Sequence, residues 1–383
     1  MISYCAKGHI IMHRRFTAVA LALATACAAL PLAAQGVAAT FSAHLDRIPA
    51  TALGLFDATP EIEFGDLAAA TRVLAARPAD APAVYGGPFG PAVRAPIGSM
   101  TDSINPQMTD RWPATIGFGL TQVAQWSGII RPPQRLIQIT LAPGSTQAMP
   151  AALLATGYAA ADAQGYPAFA LGGDDFSVDL GGRNPSNPFG GNLGMASRIA
   201  IDGDTVLASP GWPLLTAAMT DTGPSLADRP DIAALLASLD ALPAGDDLLI
   251  TASLWLDAAQ LGLADDGRGL PPWSAFLLAD LSDGQTDTAA LALAYPTRDQ
   301  AKTAAQAMAR IWQDEPLATR GDTLAALSGL ALTVDVVGDG PFVALAHASG
   351  APRITGSLMV NPAYDLLRQA LYMGDLRLVA VGP

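Results

Sequence analysis

From residue 41 onward, apolar positions recur with two periods, one near 3.6 and one of 2, and the breaks between runs fall at Gly, Pro and Asp. GDLAAATRVLAARP (65–78) predicts a helix with Asp66 near its start and Pro78 at its end. TIGFGL (115–120) reads as a short strand, TQVAQWSGII (121–130) as a short helix or turn, and RLIQITLA (135–142) as a strand. The next helix carries Pro150 in its first turn and stops at Gly157. YPAFAL (166–171) is a strand, SRIAIDGDTVLAS (197–209) a hairpin around Asp-Gly, and WPLLTAAM (212–219) a helix.

The second half is more sharply patterned. Asp228 is placed as the cap of a helix with Pro230 in its first turn and Ile232, Leu235, Leu236 and Leu239 on one stripe. DLLITASLWL, WSAFLLADL and TAALALAYP read as strands, the last two joined by SDGQTD. Thr297 and Gln300 form a capping box for a helix that turns Ala301, Ala304, Met308, Ile311 and Trp312 to one side. LTVDVVGDGPFVALAHA predicts a hairpin, Asn361 caps a last helix, and LRLVAVG (376–382) closes as a strand.

This succession predicts an α+β fold. Laying GFGLTQVAQWSGIIRPPQRLIQITLA over ASLWLDAAQLGLADDGRGLPPWSAFLLADL aligns Ala-Gln (124–125 and 259–260) and Pro-Pro (132–133 and 271–272). The implied architecture is a duplicated split-βαβ-like module, antiparallel sheets with helices packed on one face. The expected division is a signal peptide over 1–39, a helical segment with a Pro/Gly-rich linker, arm or lid over 40–113, a first module over 114–225 and a second over 226–383.

Composition adds the compartment. Arg14 and Arg15, then an Ala-rich apolar stretch, then small residues are laid out as a secretory leader, with cleavage after Ala34 or Ala39. The Arg pair also admits a twin-arginine export signal, and Cys27 a lipid attachment site. Both cysteines, Cys5 and Cys27, lie in the leader, so the exported part has no disulfide and no thiolate ligand. The chain has 21 basic against 34 acidic residues, and the leader removes Lys7, Arg14 and Arg15 but no acid. A chain this acidic repels nucleic acid and anionic lipid, which excludes both as partners. No apolar run after the leader is long enough to span a bilayer, so no transmembrane segment is expected.

The chemistry-bearing residues are few. APGSTQAMPAALLATGY (142–158) has the outline of a phosphate loop, but it has one turn glycine and no nearby lysine, so it reads as a helix start. After the leader only His44 and His347 remain, with no Gly-x-Ser-x-Gly and no His-Glu-x-x-His. His347, in an alternating run, is expected to be a strand residue with a satisfied imidazole. No metal site and no cofactor are expected. Glu61 and Glu63 flank Ile62 in an alternating run and are expected to point to solvent from one strand face.

The most polar stretch is LGGDDFSVDLGGRNPSNPFGGNLG (171–194). Its Asp174, Asp175, Asp179, Arg183, Asn184 and Asn187 are the candidate ligand-binding residues, although the acid spacing matches no calcium loop. Several pieces, among them EIEFGDLAAA, ALLATGY, SLADRPDIAALLASLDAL and LPPWSAFLLADL, resemble an uncharacterised family of exported bacterial proteins, many of them lipoproteins. The resemblance implies export and an α+β fold and brings no activity. The expected function is that of a non-enzymatic binding or interaction protein working through 77–113 and 171–194, its partner an unknown envelope protein or a small ligand. The alternatives are a periplasmic hydrolase using Asp174, Asp175 or Asp179, and a structural envelope protein anchored at Cys27.

Overall fold

Glu61–Asp66 is a strand (β1) hydrogen-bonded on both sides, and the chain on either side of it folds outward from there. The computed structural model describes residues 36–76, 89–96, 100, 104–243, 247–258, 269–355, 358–375 and 377–382. Residues 1–35 with Cys27, residues 77–88 of the Pro/Gly stretch, and the 259–268 connection with its Ala-Gln and Ala-Asp-Asp-Gly-Arg steps lie outside the described residues.

The first half contributes β2 (Val123–Arg131), β3 (Gln134–Leu141), β4 (Ala159–Ala163), β5 (Tyr166–Leu171), β6 (Ser197–Asp202) and β7 (Thr205–Ser209). The second contributes β8 (Leu248–Leu256), β9 (Ala275–Ser282), β10 (Asp287–Tyr295), β11 (Thr333–Val337) and β12 (Phe342–Gly350). Among the described residues these make one 12-stranded sheet in the order β11-β12-β10-β9-β8-β1-β2-β3-β7-β6-β5-β4. Every neighbouring pair in it is antiparallel. A small hairpin, β13 (Arg353–Thr355) with β14 (Leu358–Val360), stands apart.

The helices are α1 (Ala39–Leu45), α2 (Leu67–Ala75), α3 (Phe89–Arg94), α4 (Pro106–Thr109), α5 (Trp112–Ile116), α6 (Met149–Ala155), α7 (Trp212–Thr220), α8 (Pro230–Ser238), α9 (Arg298–Asp314), α10 (Leu324–Ser328) and α11 (Pro362–Tyr372). The fold is α+β, and its helices cover both faces of the sheet rather than one. Helices α1, α7 and α8 pack on Ile62, Phe64, Ala252, Leu254 and Leu277. On the opposite face α2, α5 and α6 cover Trp126, Ile137 and Ile139, and α9 and α11 cover Phe276, Leu278, Leu291 and Leu293. The reason is composition. Strands β9 and β10 are buried at every position, and one-sided packing would leave residues such as Leu278, Leu291 and Leu293 in water at about 1.5–3 kcal/mol each.

Burial on both faces also explains the misread segment 115–130. Gly117–Leu120 is a turn and 3₁₀ lead-in, and Val123–Arg131 is strand β2, whose residues lack alternation because both sides are covered. The Pro-Pro steps keep related places, one as the β2–β3 turn and one just ahead of β9, but Gly117–Leu120 is not the counterpart of a β8 strand segment. A split βαβ unit occurs in the second half, where β10 and β11 are joined through α9 with β12 between them. The first half instead returns to β3 through the β4–β7 meander. Two smaller expectations also change. Asp228 accepts from the Ser225 amide at 2.7 Å, closing the turn before α8 rather than capping it. The C-terminal strand is a 3₁₀ turn, Arg377–Val379, followed by a single bridge from Val381 to Leu270.

Segment 40–113, expected as helix and arm, supplies the central strand and a docked helix. Asp66 ends β1 and caps α2 through the Ala69 amide at 2.7 Å. Helix α3 then brings Arg94 into the sheet's second face, where its guanidinium meets Asp280 at 2.7 Å and Asp287 at 2.9 Å. The Ala95 carbonyl accepts from Trp126 Nε1 at 2.8 Å directly over Gly65, where a Cβ would lie 2.4 Å from both groups. Asn361 Nδ2 completes the cluster at 2.8 Å from Asp280.

Burial first, and then the neighbouring Asp287 charge, push the Asp280 carboxyl upward against the pull of Arg94. Two sealed acids therefore share one guanidinium. Arg94→Met is expected to destabilise the fold by about 3–5 kcal/mol in urea titrations at neutral pH, because it strands buried charge. Arg94→Met with Asp280→Leu and Asp287→Leu should recover most of that loss.

Candidate functional site

The loop between β5 and β6 holds all six candidate residues, and five of them use their polar side-chain atoms to build the loop. Asp175 accepts from the Trp212 amide at 3.1 Å and lies 3.5 Å from Arg198. Asp179 accepts from the Gly181 amide at 2.9 Å, and Asn184 from the Ser186 amide at 3.1 Å. Asn187 accepts from the Phe189 amide and donates to the Tyr158 hydroxyl at 2.9 Å. Arg183 donates to the Asn192 carbonyl at 2.7 Å, and Asp174 is exposed. These are Asx-type turns along one excursion rather than groups converging on a centre. Among the described residues no group of three or more His, Cys, Asp or Glu is placed to hold a metal ion.

Beside its charged rim the loop also presents apolar side chains outward. A bridge between Val178 and Met195, with Asp179 N donating to the Gly194 carbonyl at 2.8 Å, sets 178–180 beside 193–195. Val178, Leu180 and Leu193 are 53%, 64% and 50% exposed. Arg198 ties the loop base to the sheet through the Leu171 carbonyl at 2.7 Å and lies over the Trp212 ring.

A second polar assembly lies on the central strand. Glu61 and Glu63 do share a face, as alternation implies, but that face is packed: Glu63 is buried and Glu61 half-buried. Tyr372, from the end of α11, donates its hydroxyl to Glu61 at 2.8 Å. Burial, reinforced by the Glu63 charge, pushes the Glu61 carboxyl up to about 7. Burial works against the charge of Arg368, but Tyr364, Tyr372, Asp365 and Glu63 more than offset it, so its affinity for the proton rises. Burial also raises the Tyr364 hydroxyl to about 12. Beside this row a cleft of about 290 Å³ opens between α11 and the 317–320 turn. This assembly was missed because Glu61 and Glu63 come from β1 and their partners from α11, some 300 residues later. The signal available was Glu-Ile-Glu inside an otherwise apolar strand.

Both remaining histidines are buried. His44, on α1, has Nδ1 at 2.9 Å from Ser127 Oγ and Nε2 at 3.3 Å from Thr140 Oγ1. Burial pushes it down to about 4. Ser127 is 1% exposed, so this serine–histidine pair is sealed in the core. His347 sits in β12 as expected, but its Nδ1 is buried without a hydrogen-bond partner among the described residues, so the imidazole is not fully satisfied. The 142–148 turn is tied to the β6–β7 hairpin, with the Gly144 amide donating to Asp204 at 2.7 Å and Thr146 to the Gly203 carbonyl at 2.9 Å. An acid occupies the amide that a phosphate would need.

No protein-family model matches the chain, and no curated protein matches it. Crystal form III of TP0453 is similar at 7% identity and a TM-score of 0.36, covering 80% of this chain and 93% of that one. Crystal form IV gives 8% and 0.36 over 77% and 90%, and form I gives 8% and 0.34 over 87% and 97%. Likeness at this level carries no argument about activity. No helix among the described residues is long and apolar enough to cross a membrane.

His44 and Glu61 act on stability in opposite directions. Between about 4 and 6.5 the unfolded chain binds the His44 proton and the native chain does not, so stability falls as pH drops through that window. Across a window of this width the loss is on the order of 3 kcal/mol. His44→Gln should make the acid limb of a urea-midpoint profile shallower. Glu61 holds its proton in the native state up to about 7, against 4.5 for an ordinary glutamate, so stability falls as pH rises between those values. Glu61→Gln should flatten that limb.

Proposed function

We propose that this chain is an exported, envelope-associated protein that works by docking a partner through the β5–β6 loop, without turning over a substrate. The observation that carries this reading is the exposed Val178, Leu180 and Leu193 cluster on a loop held rigid by its own hydrogen bonds. Exposed apolar groups that do not collapse onto the body mark a contact surface. The exposed Asp174 and the Asp179 carboxylate at the rim favour a protein partner with an apolar patch edged by basic residues. The leader favours export, and Cys27 remains the site for a lipid if the chain is anchored.

A second reading, a carboxylate-dependent hydrolase, is favoured by a different observation: Glu61, with a proton affinity near 7, lies next to a cleft. It moves the catalytic carboxylate from the loop acids to β1. Any hydrolytic activity of the purified protein would then be abolished by Glu61→Gln.

A photo-reactive residue at position 178 in cells that make the protein is expected to give one discrete adduct. Leu180→Glu with Leu193→Glu should remove the adduct without moving the thermal midpoint, since both side chains face water. No adduct, or an adduct unchanged in the double variant, would overturn the docking reading. Intact-mass measurement of the mature chain is expected to find a free N-terminus after Ala34 or Ala39. A diacylglycerol-modified Cys27 would instead establish anchoring.

A further inference from the structure

The cleft between α11 and the 317–320 turn has a chemical character of its own. Its lining combines the apolar side chains of Leu317, Leu366 and Met373 with Arg320, Arg368 and Tyr372, and among the described residues it includes no carboxylate. That is unusual in a chain with 34 acidic and 21 basic residues. Arg47, Arg94, Arg198, Arg229, Arg310 and Arg377 each lie within 4.0 Å of a carboxylate. The side-chain partner of Arg320 is a neutral amide, Gln369 Oε1 at 2.7 Å.

Of the nearby carboxylates, the exposed Asp322 is not part of the cleft lining, and Asp365 and Asp375 already have donors. Asp365 accepts from Gln369 Nε2 at 2.9 Å, and Asp375 accepts from the Ala318 and Thr319 amides and the Thr319 hydroxyl. Those Asp375 bonds fix the turn that carries Arg320. The opposite wall is the last turn of α11, where Tyr372 and Met373 are 57% and 68% exposed. The cleft is therefore built from two walls, cationic at Arg320 and at Arg368, whose charge Glu63 and Asp365 also stabilise, and apolar between them.

We propose that this cleft binds a small organic carboxylate, its anionic head held by Arg320 and Arg368 and its apolar body lying against Leu317, Leu366 and Met373. A planar guanidinium matches a carboxylate in two-point hydrogen bonding, which a lysine would not provide. At about 290 Å³ the space is at the small end of ligand pockets, ~300–1,000 Å³, which limits the ligand to a short or branched chain or a single ring. The site is separate from the β5–β6 loop and does not depend on the docking reading.

The test follows the methyl resonance of Met373 in the full mature protein, labelled at methionine methyl groups and assigned with Met373→Leu. Titration with 4-methylpentanoate is expected to shift that resonance saturably. Arg320→Gln should weaken the interaction at least tenfold, and Met373→Glu, which sets a carboxylate at the mouth, should abolish it in a second readout by calorimetry. Both side chains are exposed, so neither change threatens the fold. The neutral 4-methylpentan-1-ol should leave the resonance unmoved, and inorganic phosphate should bind more weakly than the carboxylate. Equal binding of the alcohol, equal binding of phosphate, or an unchanged affinity in Arg320→Gln would each overturn the proposal.

Discussion

Strand β1 is paired on both edges and covered on both faces, and most of the remaining architecture follows from satisfying those four boundaries. Its ladders to β2 and β8 join the two halves of the chain into one sheet, so neither half closes its own hydrogen bonding without it. Its first face carries Ile62 and Phe64 into the layer beneath α1 and α8. Its second face carries Glu61, Glu63 and Gly65, and that composition decides what can lie above it. Gly65 admits the Ala95 carbonyl and the Trp126 indole, which positions Arg94 over Asp280 and Asp287. The two glutamates draw in the hydroxyl and guanidinium groups of α11.

Buried charge is therefore concentrated along one seam of an acidic molecule. Arg94 holds two acids where removing the cation would leave both in a medium that cannot solvate them. A few strands away, Glu61 avoids that problem by keeping its proton to about neutral pH. The sealed His44 resolves the same conflict from the other direction, by remaining neutral until acid pH. These groups give the fold its pH dependence; of the surface features offered for recognition, the β5–β6 loop sits apart from them and the α11 cleft adjoins Glu61 through Tyr372.

The loop shows how a polar sequence can build an apolar surface. Asp175, Asp179, Asn184 and Asn187 turn onto backbone amides, because a long excursion with many Gly and Pro residues must find partners for those amides locally. Once that is done, Val178, Leu180 and Leu193 are left on the outside with no layer of their own to enter. The α11 cleft has the complementary logic: apolar walls, with its cationic groups held by neutral partners or shared among several acids and phenols.

Local chemistry was readable along the chain. The Thr297 and Asn361 caps, the hairpins at Asp202–Gly203 and 333–350, and the stripes of α8 and α9 all depend on residues within a turn or two of one another. Segment 121–130 was not, because a strand buried on both sides loses the alternation that marks a strand. Nor was the burial of Glu61 and Glu63, since alternation tells which residues share a face and not what covers it. The sequence by itself determined the α+β class and the scarcity of thiols and imidazoles after residue 39, because these depend on composition and short-range pattern. Only the tertiary structure decided that helices cover both faces, that Arg94 bridges Asp280 and Asp287, and that Tyr372 meets Glu61. Those pairings join residues 186 to 311 positions apart, and no local periodicity encodes which distant elements a sheet will bring together.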